Sequence, residues 1–269
     1  MSKPFLKWAG GKHKLVPFIA SHLSPSRRRL IEPFAGSAAL SLALEFEAYL
    51  LNDTNPDLIG LFQTLKNEKQ EFIDYTRQYF NTEHNQESRF YILREQFNYS
   101  ENPIERAALF IYLNRHAFNG LCRYNSKGLF NVPFGRYRAP YFPEKEMRAF
   151  IQKAERMEIQ CGDFQTALQQ ANSDDTIYCD PPYVPLSATA SFTAYSKDSF
   201  NLEEQSRLAT AAQQTAPQSQ GVLISNHDTE LTRELYRHAQ LETISVQRNI
   251  AANGSSRQKV GELLAIYGG

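Results

Sequence analysis

The sequence has few cysteines, no long apolar run and no net charge, and these absences exclude several classes of protein. Its 269 residues include three cysteines that form no Cys-x-x-Cys pair, so neither a zinc site nor a disulfide framework is indicated. No apolar stretch approaches the roughly 20 residues of a membrane span. The N-terminal residues carry lysines without the apolar core of a secretory leader. We therefore expect a cytoplasmic protein with no metal centre and no membrane contact.

The overall charge indicates no particular partner, because Lys and Arg number 29 and Asp and Glu also number 29. The hydrophobic fraction of 42% and the charged fraction of 22% are ordinary for a globular chain. A chain of this length can bury a sizeable core, either as one large domain or as one domain with a second inserted into it.

A local absence of acidic residues is more informative than the overall balance. From Arg106 to Pro143 the sequence contains no Asp or Glu. The same stretch interleaves cations and rings, namely Arg106, Arg115, Arg123, Lys127, Arg136 and Arg138 with Phe118, Tyr124, Phe130, Phe134, Tyr137, Tyr141 and Phe142. Cations can meet phosphates, Arg and Asn can read base edges, and an aromatic ring can fill the space of a displaced base. The stretch therefore predicts nucleic-acid binding, and a solvated basic face over an aromatic core is the alternative.

The residues Asp180-Pro181-Pro182-Tyr183 follow an apolar run, 176–179, that has strand character. Proline fixes φ, lacks an N–H and holds the preceding residue extended, so the motif predicts a rigid tip at a strand end. Such a tip presents a carboxylate, carbonyl oxygens and an aromatic face, which together suit an aromatic amine with two N–H groups. A plain strand followed by a proline-rich turn is the alternative for these four residues alone.

Residues 30–53 predict a strand, a tight turn at Gly36, a helix over 38–48 and a second strand that ends at Asp53. In this arrangement a nucleotide-like ligand lies at a helix N-terminus and a carboxylate holds its ribose. The turn lacks the glycines of Gly-x-Gly-x-x-Gly, and Leu6 and His13 exclude a P-loop at the N-terminus. A ligand with a ribose and no phosphates fits better, and S-adenosylmethionine is one such ligand. A plain βαβ core unit is the alternative.

Strands and helices alternate on both sides of the basic stretch. Helices are predicted at 56–69, 106–113, 144–157, 201–215 and 231–238, and strands at 158–161, 176–179, 221–225, 242–248 and 262–267. Polar residues follow several strand ends, at Gly36, Asp53, Asp163, Asp180 and Asn226. Loops of small and polar residues are predicted at 187–199 and 251–257. The pattern predicts one doubly wound α/β domain, residues 1–56 and 145–269, with a basic and mainly helical domain inserted at 57–144.

The ordered set of motifs resembles the Dam family of DNA adenine-N6 methyltransferases, in the alpha-class order. The resemblance extends from Phe5 to about Tyr267 and is carried by residues 5–12, 32–37, 53, 114–115, 119–125, 130–137, 180–183 and 225–228. It implies a Rossmann-like S-adenosylmethionine-dependent methyltransferase sheet with an inserted DNA-recognition domain. It also implies double-stranded DNA as substrate, the adenine of GATC as target and S-adenosylmethionine as methyl donor. We expect a monomer in solution that needs no metal.

The resemblance assigns roles to individual residues. It implies a cofactor-binding set formed by Trp8, Lys12, Pro33, Phe34, Gly36, Ser37, Asp53, Asp163, Phe164 and Asp180. It implies a catalytic set formed by Asp180, Pro181 and Tyr183. It implies a DNA-binding set formed by Lys7, Arg115, Phe118, Asn119, Leu121, Arg123, Asn125, Pro133, Arg136 and Tyr137. Within that set, Arg123 has the position that reads a guanine, and Phe118 stands where many relatives carry tyrosine.

Two other kinds of function stay open at the level of sequence. The first is methylation of RNA or of a protein glutamine amide, but glutamine methyltransferases usually carry Asn at the position of Asp180 and lack a large basic insertion. The second is DNA binding by a regulator with an inactive methyltransferase fold. The intact Gly36, Asp53, Asp180 and Tyr183 argue against that second function.

Overall fold

The computed structural model describes residues 2–184, 200–246 and 260–268, which form a mixed α/β fold with a seven-stranded sheet. The strands are β1 (Arg29–Glu32), β2 (Ala48–Asp53), β3 (Met157–Cys161), β4 (Asp175–Cys179), β5 (Val222–His227), β6 (Gln240–Val246) and β7 (Val260–Tyr267). The helices are α1 (Val16–Ser21), α2 (Ala39–Ala43), α3 (Pro56–Arg77), α4 (Glu87–Tyr99), α5 (Pro103–His116), α6 (Glu144–Ala154), α7 (Phe164–Leu168), α8 (Leu202–Thr215) and α9 (Glu230–Leu235). Short 3₁₀ turns occur at Lys12–Lys14, Phe118–Gly120 and Ala216–Gln218.

The local sequence explains where the longer helices begin. The Asn55 side chain accepts hydrogen bonds from the backbone N–H groups of Asp57 and Leu58, and Pro56 occupies the first helical position of α3. Asn102 and Pro103 start α5 in the same way. An Asn cap satisfies N–H groups that have no partner within the helix, and a proline at this position sacrifices no helical hydrogen bond.

The chain divides into two compact units. The first comprises Met1–Pro17, Ala35–Glu45 and Asp53–Gly162, and the second comprises Phe18–Phe34, Phe46–Asn52 and Asp163–Gly269. Residues 57–144, predicted as an inserted domain, fall wholly within the first unit. The boundaries of a separate recognition domain stay a prediction.

The second unit contains six strands in the spatial order β2-β1-β4-β5-β7-β6. The first four are mutually parallel, and β7 runs antiparallel between β5 and β6. Every residue of β4 and β5 is buried, as expected for strands covered on both faces. From β1 the chain continues to β2 on one side, whereas β4 pairs with β1 on the other, with Ile31 opposite Ile177. Ligands of open α/β sheets bind at the carboxyl ends of strands beside such a switch point.

The first unit is mainly helical, and its core is rich in aromatic rings. The ring of Phe5 lies edge-on to Phe62 and Phe150, with centroids 5.8 and 5.4 Å away, and those two rings stack at 5.1 Å. Offset and edge-to-face ring pairs add to the stabilisation that comes from burial. The N-terminal segment is therefore fixed on helices α3 and α6.

The predicted fold class is confirmed, and each predicted strand is present with shifts at its ends. The helix predicted over 38–48 is wrong in length, because α2 ends at Ala43. The buried ammonium of Lys153 donates to the carbonyl oxygens of Ser41 and Leu44 at 2.9 and 2.6 Å, so it satisfies the end of a shorter helix. The end predicted at residue 69 coincides with a kink in α3 at Lys69, whose φ is 49° and ψ −121°, and a second helical segment continues from there to Arg77. The loops predicted at 187–199 and 251–257 lie outside the described residues.

Candidate active site

The predicted tip lies directly after β4, at the carboxyl end of a fully buried strand. Asp180 is half-buried, Pro181 is buried and Pro182 is exposed. β4 lies between β1 and β5, so the tip adjoins the ends of two further parallel strands of the second unit. The structure therefore places Asp180 and Pro181 where ligands of such a sheet bind.

Side chains from two other elements hold the backbone that follows Pro181. The Gln205 amide nitrogen on α8 donates to the Pro182 carbonyl oxygen at 2.7 Å. The Asn226 Oδ1 accepts the Val184 N–H at 3.1 Å, and the His227 Nδ1 donates to the Val184 carbonyl oxygen at 2.7 Å. Sequence reasoning identified the strand end at Asn226 and gave no signal for Gln205.

The ring of Tyr183 is fixed on two sides. Its hydroxyl donates to the Glu262 Oε2 at 3.2 Å. Its ring meets that of His227 edge-on, with centroids 4.8 Å apart and an interplanar angle of 84°. Because one contact holds the hydroxyl and the other holds the ring, the aromatic plane has a defined orientation.

A second group in this unit surrounds Phe34 and Phe164. These two rings stack with centroids 5.3 Å apart, and Phe200 lies edge-on to Phe34 at 5.4 Å. Asp163 accepts two hydrogen bonds from Arg207, at 2.9 and 2.6 Å, and this pairing lowers the pKa of its carboxyl group. The sequence predicts a cofactor role for Phe34, Asp163 and Phe164, but nothing in it singles out Arg207 as their neighbour.

Pro33 lies in the same unit, directly after β1. Its carbonyl oxygen accepts a hydrogen bond from the Asn52 amide nitrogen at 3.0 Å. Asn52 is fully buried, so this bond ties the end of β1 to the end of β2 and fixes the direction in which the chain leaves the sheet.

In the first unit, the turn at Gly36 lies close to the Trp8 indole and is hydrogen-bonded to Asp53. Gly36 has a φ of 47°, and a Cβ added to it would lie 2.9 Å from the Trp8 indole nitrogen. Its N–H donates to the Asp53 Oδ2 at 3.0 Å, and the Asp53 Oδ1 accepts the Asn55 N–H at 3.0 Å. Burial raises the pKa of Asp53, and these N–H donors oppose that rise. Only glycine fits this turn without displacing the indole.

Lys12 and Ser37, two other residues of the predicted cofactor set, are both buried. The Lys12 ammonium donates to the Gly10 carbonyl oxygen at 2.7 Å, so it helps to close the glycine turn of the N-terminal segment.

Among the described residues, no group of three or more His, Cys, Asp or Glu side chains is arranged to hold a metal ion. In the same part of the chain, no helix is long and apolar enough to cross a membrane.

The predicted DNA-binding residues all lie in the first unit, and the structure separates them by exposure. The exposed ones are Phe118, Asn119, Arg123, Asn125, Pro133 and Arg136. The half-buried ones are Lys7, Leu121 and Tyr137. Phe118 is 50% exposed, although it is a large apolar side chain, and Asn119 beside it has a φ of 54°. The ring of Phe118 is therefore accessible, as its predicted role requires.

Arg115 is the buried member of the predicted DNA-binding set, with only 8% of the residue exposed, and its contact with DNA stays a prediction. Its guanidinium donates to the carbonyl oxygen of Phe5, and burial lowers its pKa. The sequence could not separate Arg115 from Arg123, since both are arginines in the same acid-free stretch. Packing of α5 against the N-terminal segment buries one of them and leaves the other exposed.

Asn114 joins Lys7 to the turn that carries Phe118. The Asn114 side chain accepts the Lys7 N–H at 2.8 Å and donates to the Lys7 and Gly120 carbonyl oxygens at 2.7 and 3.2 Å. The Lys7 ammonium lies 4.2 Å from the centroid of the Tyr137 ring, and burial followed by the charge of Arg115 lowers its pKa. These contacts bring Lys7, the Phe118 turn and Tyr137 together.

Arg123 lies on a short two-stranded segment whose other side carries Asn131. Its Nε donates to the Asn131 Oδ1 at 2.8 Å, and its Nη2 donates to the Asn131 carbonyl oxygen at 3.3 Å. The next residue, Tyr124, donates through its hydroxyl to the buried Asp57 at 2.6 Å. The guanidinium of Arg123 is thus oriented by Asn131, and the residue is exposed.

Comparison with known proteins agrees with this geometry. Residues 8–250 match the model of the D12 class N6 adenine-specific DNA methyltransferase family. A DNA adenine methylase of Vibrio cholerae is 49% identical over 266 residues, which cover 98% of this chain and 96% of that protein. Proteins of the same name from Escherichia coli K12 and Serratia marcescens are 48% and 49% identical, and the matches cover 99% of this chain in both cases and 95% and 98% of those proteins. The chain therefore belongs to the D12 class of N6 adenine-specific DNA methyltransferases, enzymes that move a methyl group from a donor to adenine in DNA.

Proposed function

We propose that the chain transfers a methyl group from S-adenosylmethionine to the N6 atom of a flipped adenine within GATC in double-stranded DNA. Family membership supports the reaction class. The likeness of residues 119–125 and 130–137 to the Dam family supports the target sequence. We further propose that the enzyme acts as a monomer in the cytoplasm, from what composition and family resemblance imply.

The proposed donor fits the chemistry of the residues that are present. In the first unit, Asp53 keeps lone pairs on both oxygens beyond its bonds to Gly36 and Asn55, so it can accept ribose hydroxyls. We assign the Gly36 turn, with Trp8, Lys12 and Ser37, to the methionine portion. When bound, S-adenosylmethionine supplies an electrophilic methyl group on a sulfonium.

In the second unit, we assign Pro33, Phe34, Asp163 and Phe164 to the adenine portion of the donor. The half-buried ring of Phe34, which stacks on the buried ring of Phe164, offers an apolar surface for a flat heterocycle. Arg207 keeps the Asp163 carboxylate ionised and oriented, so that carboxylate can accept an exocyclic N–H.

The tip offers two hydrogen-bond acceptors and an aromatic ring to the target adenine. The N6 lone pair of adenine is delocalised into the ring, so the nitrogen is a poor nucleophile. The Asp180 carboxylate and the Pro181 carbonyl can each accept one N6 hydrogen, which draws electron density onto nitrogen and favours a pyramidal geometry. Tyr183 can stack on the adenine and fix its plane. Orientation of the two reactants then provides most of the rate enhancement.

A base that is stacked in a duplex cannot reach such a pocket, so the target adenine has to leave the helix. We assign Phe118 and Asn119 to the space that the base vacates, and Arg123 to a guanine edge. We assign Lys7, Leu121, Asn125, Pro133, Arg136 and Tyr137 to further DNA contacts. Arg115 is left out of this surface, because it is buried against Phe5.

The observation that carries the proposal is the position of the rigid tip at the carboxyl end of β4 in a chain of this family. The test is transfer of tritiated methyl from S-adenosylmethionine to a duplex that contains one GATC, compared with every single-base variant. We expect N6-methyladenine in the parent duplex and little in the variants. Asp180→Ala should abolish transfer because it removes an acceptor for N6, and binding of DNA should stay within about threefold.

The other functions predict different results in the same assay. An RNA or glutamine methyltransferase would label RNA or protein in preference to the duplex. An inactive regulator would bind the duplex and transfer nothing. Turnover by Asp180→Ala within tenfold of the parent enzyme would contradict the role given to the tip.

A further inference from the structure

The two prolines of the tip cannot extend the hydrogen-bond ladder of β4, because neither has a backbone N–H to donate. The ladder that fixes β4 therefore ends at Cys179. Beyond it, the backbone groups of Pro182 and Val184 pair with side chains instead of with a neighbouring strand. The reactive groups of Asp180 and Pro181 thus lie between a strand on one side and a set of side chains on the other.

Gln205 contacts the residue that directly follows Pro181. It is 1% exposed, and its amide nitrogen donates to the Pro182 carbonyl oxygen at 2.7 Å. Its Oε1 accepts from the Asn226 amide nitrogen at 3.1 Å and from the Tyr236 hydroxyl at 3.2 Å. Those two donors require an acceptor, so they fix the orientation of the amide and direct its NH₂ group towards the tip.

Asn226 completes this hydrogen-bond network of Gln205, Asn226 and Tyr236, which we call the bracket. It is fully buried, and its Nδ2 donates to Gln205 and to the Tyr236 hydroxyl at 3.0 Å. Its Oδ1 accepts the N–H groups of Val184 and His227, at 3.1 and 2.9 Å. All its principal donor and acceptor capacity is used, and fully satisfied buried networks of this kind are rigid.

We propose that Gln205, oriented by Asn226, is a positioning residue for methyl transfer. Its bond to the Pro182 carbonyl sets the direction of the adjacent Pro181 carbonyl and of the Asp180 carboxylate. This inference rests on the proposed role of the tip as the acceptor of the N6 hydrogens. Displacement of reacting groups by about 1 Å can lower a rate by about 100-fold, so loss of the bracket should act on the chemical step.

The test compares three variants on the same helix in the full-length protein. Gln205→Met removes both the donor and the acceptor at nearly constant volume. Gln213→Met makes the same chemical change at an exposed position of α8. Leu208→Val removes one methylene from a fully buried side chain that takes no part in the bracket, so it controls for lost stability. The readouts are the single-turnover rate with saturating S-adenosylmethionine and GATC duplex, the dissociation constants of both, and thermal unfolding.

We expect Gln205→Met to lower the single-turnover rate by about 10- to 100-fold, with both dissociation constants within about threefold of the parent. Gln213→Met and Leu208→Val should keep the parent rate wherever they are folded. If Gln205→Met does not fold, Gln205→Leu removes the same donor and acceptor with a slightly smaller side chain, and the same loss of rate is expected.

Two results would overturn the inference. The first is a single-turnover rate within twofold of the parent in a folded Gln205 variant. The second is a loss of rate in Leu208→Val equal to that in Gln205→Met, which would make the effect one of stability alone. Failure of the proposed function looks different, because the parent enzyme itself would then transfer no methyl to the GATC duplex.

Discussion

Gly36→Ala is expected to weaken both the fold and the cofactor site, by two separable effects. The backbone at Gly36 has a φ of 47°, which costs a residue with a Cβ about 1–2 kcal/mol. The new Cβ would also lie 2.9 Å from the Trp8 indole nitrogen and 3.1 Å from the adjacent ring carbon, so the ring or the turn has to move. Such overpacking costs about 1–3 kcal/mol. The free energy of unfolding should therefore fall by about 2–5 kcal/mol.

Gly128 provides a matched control within the same unit. Its φ is 71°, and a Cβ added there would meet no atom within 4 Å. Gly128→Ala should therefore lose only the backbone contribution, about 1–2 kcal/mol. Gly60 has no positive φ, lies within α3 and is equally open, so Gly60→Ala should stabilise the protein by about 0.5–1 kcal/mol.

Urea denaturation of the four proteins measures these free energies, and calorimetry with S-adenosylmethionine measures the cofactor site. Gly36→Ala should lower cofactor affinity because movement of the turn displaces the backbone N–H that orients Asp53. Gly128→Ala should leave cofactor affinity unchanged. Equal losses of stability in the two variants would show that crowding against Trp8 contributes nothing. An unchanged cofactor affinity in Gly36→Ala would separate this turn from the cofactor.

Three further outcomes test the assignments of single side chains. Asp53→Ala should weaken S-adenosylmethionine binding by about 1–3 kcal/mol through loss of charge-assisted bonds to ribose, and an unchanged dissociation constant by calorimetry would reduce Asp53 to a strand-end cap. Arg123→Ala should relax preference at one guanine by about 1–3 kcal/mol, whereas an equal loss on all single-base variants at two salt concentrations would mean that it contacts phosphate. Arg115→Ala should lower the free energy of unfolding by about 1.5–3 kcal/mol through its lost bond to Phe5, and it should leave the salt dependence of DNA binding unchanged. A salt slope reduced by about one unit in Arg115→Ala would return that residue to the DNA surface.

The sequence by itself determined the order of elements and the stiffness of the tip. An apolar run that stops at a polar residue predicts a buried strand and its end, and this held for the strands that end near Asp53 and Asp180. The helix predicted from residue 56 does begin at Pro56, where Asn55 caps it, because capping is local chemistry. The two prolines fixed the backbone of Asp180 and Pro181 for the same reason, since their constraints act on the residue itself and on the one before it.

Tertiary structure alone decided which of several residues of the same type is buried, and which one contacts the tip. Arg115 and Arg123 look alike in the sequence, but the partner that buries Arg115 is Phe5, more than a hundred residues earlier. Gln205 is one of many glutamines, and only the packing of α8 beside β5 brings its amide to the Pro182 carbonyl. Burial and hydrogen-bond partners depend on segments that are distant in the chain, so periodicity and short motifs carry no signal for them.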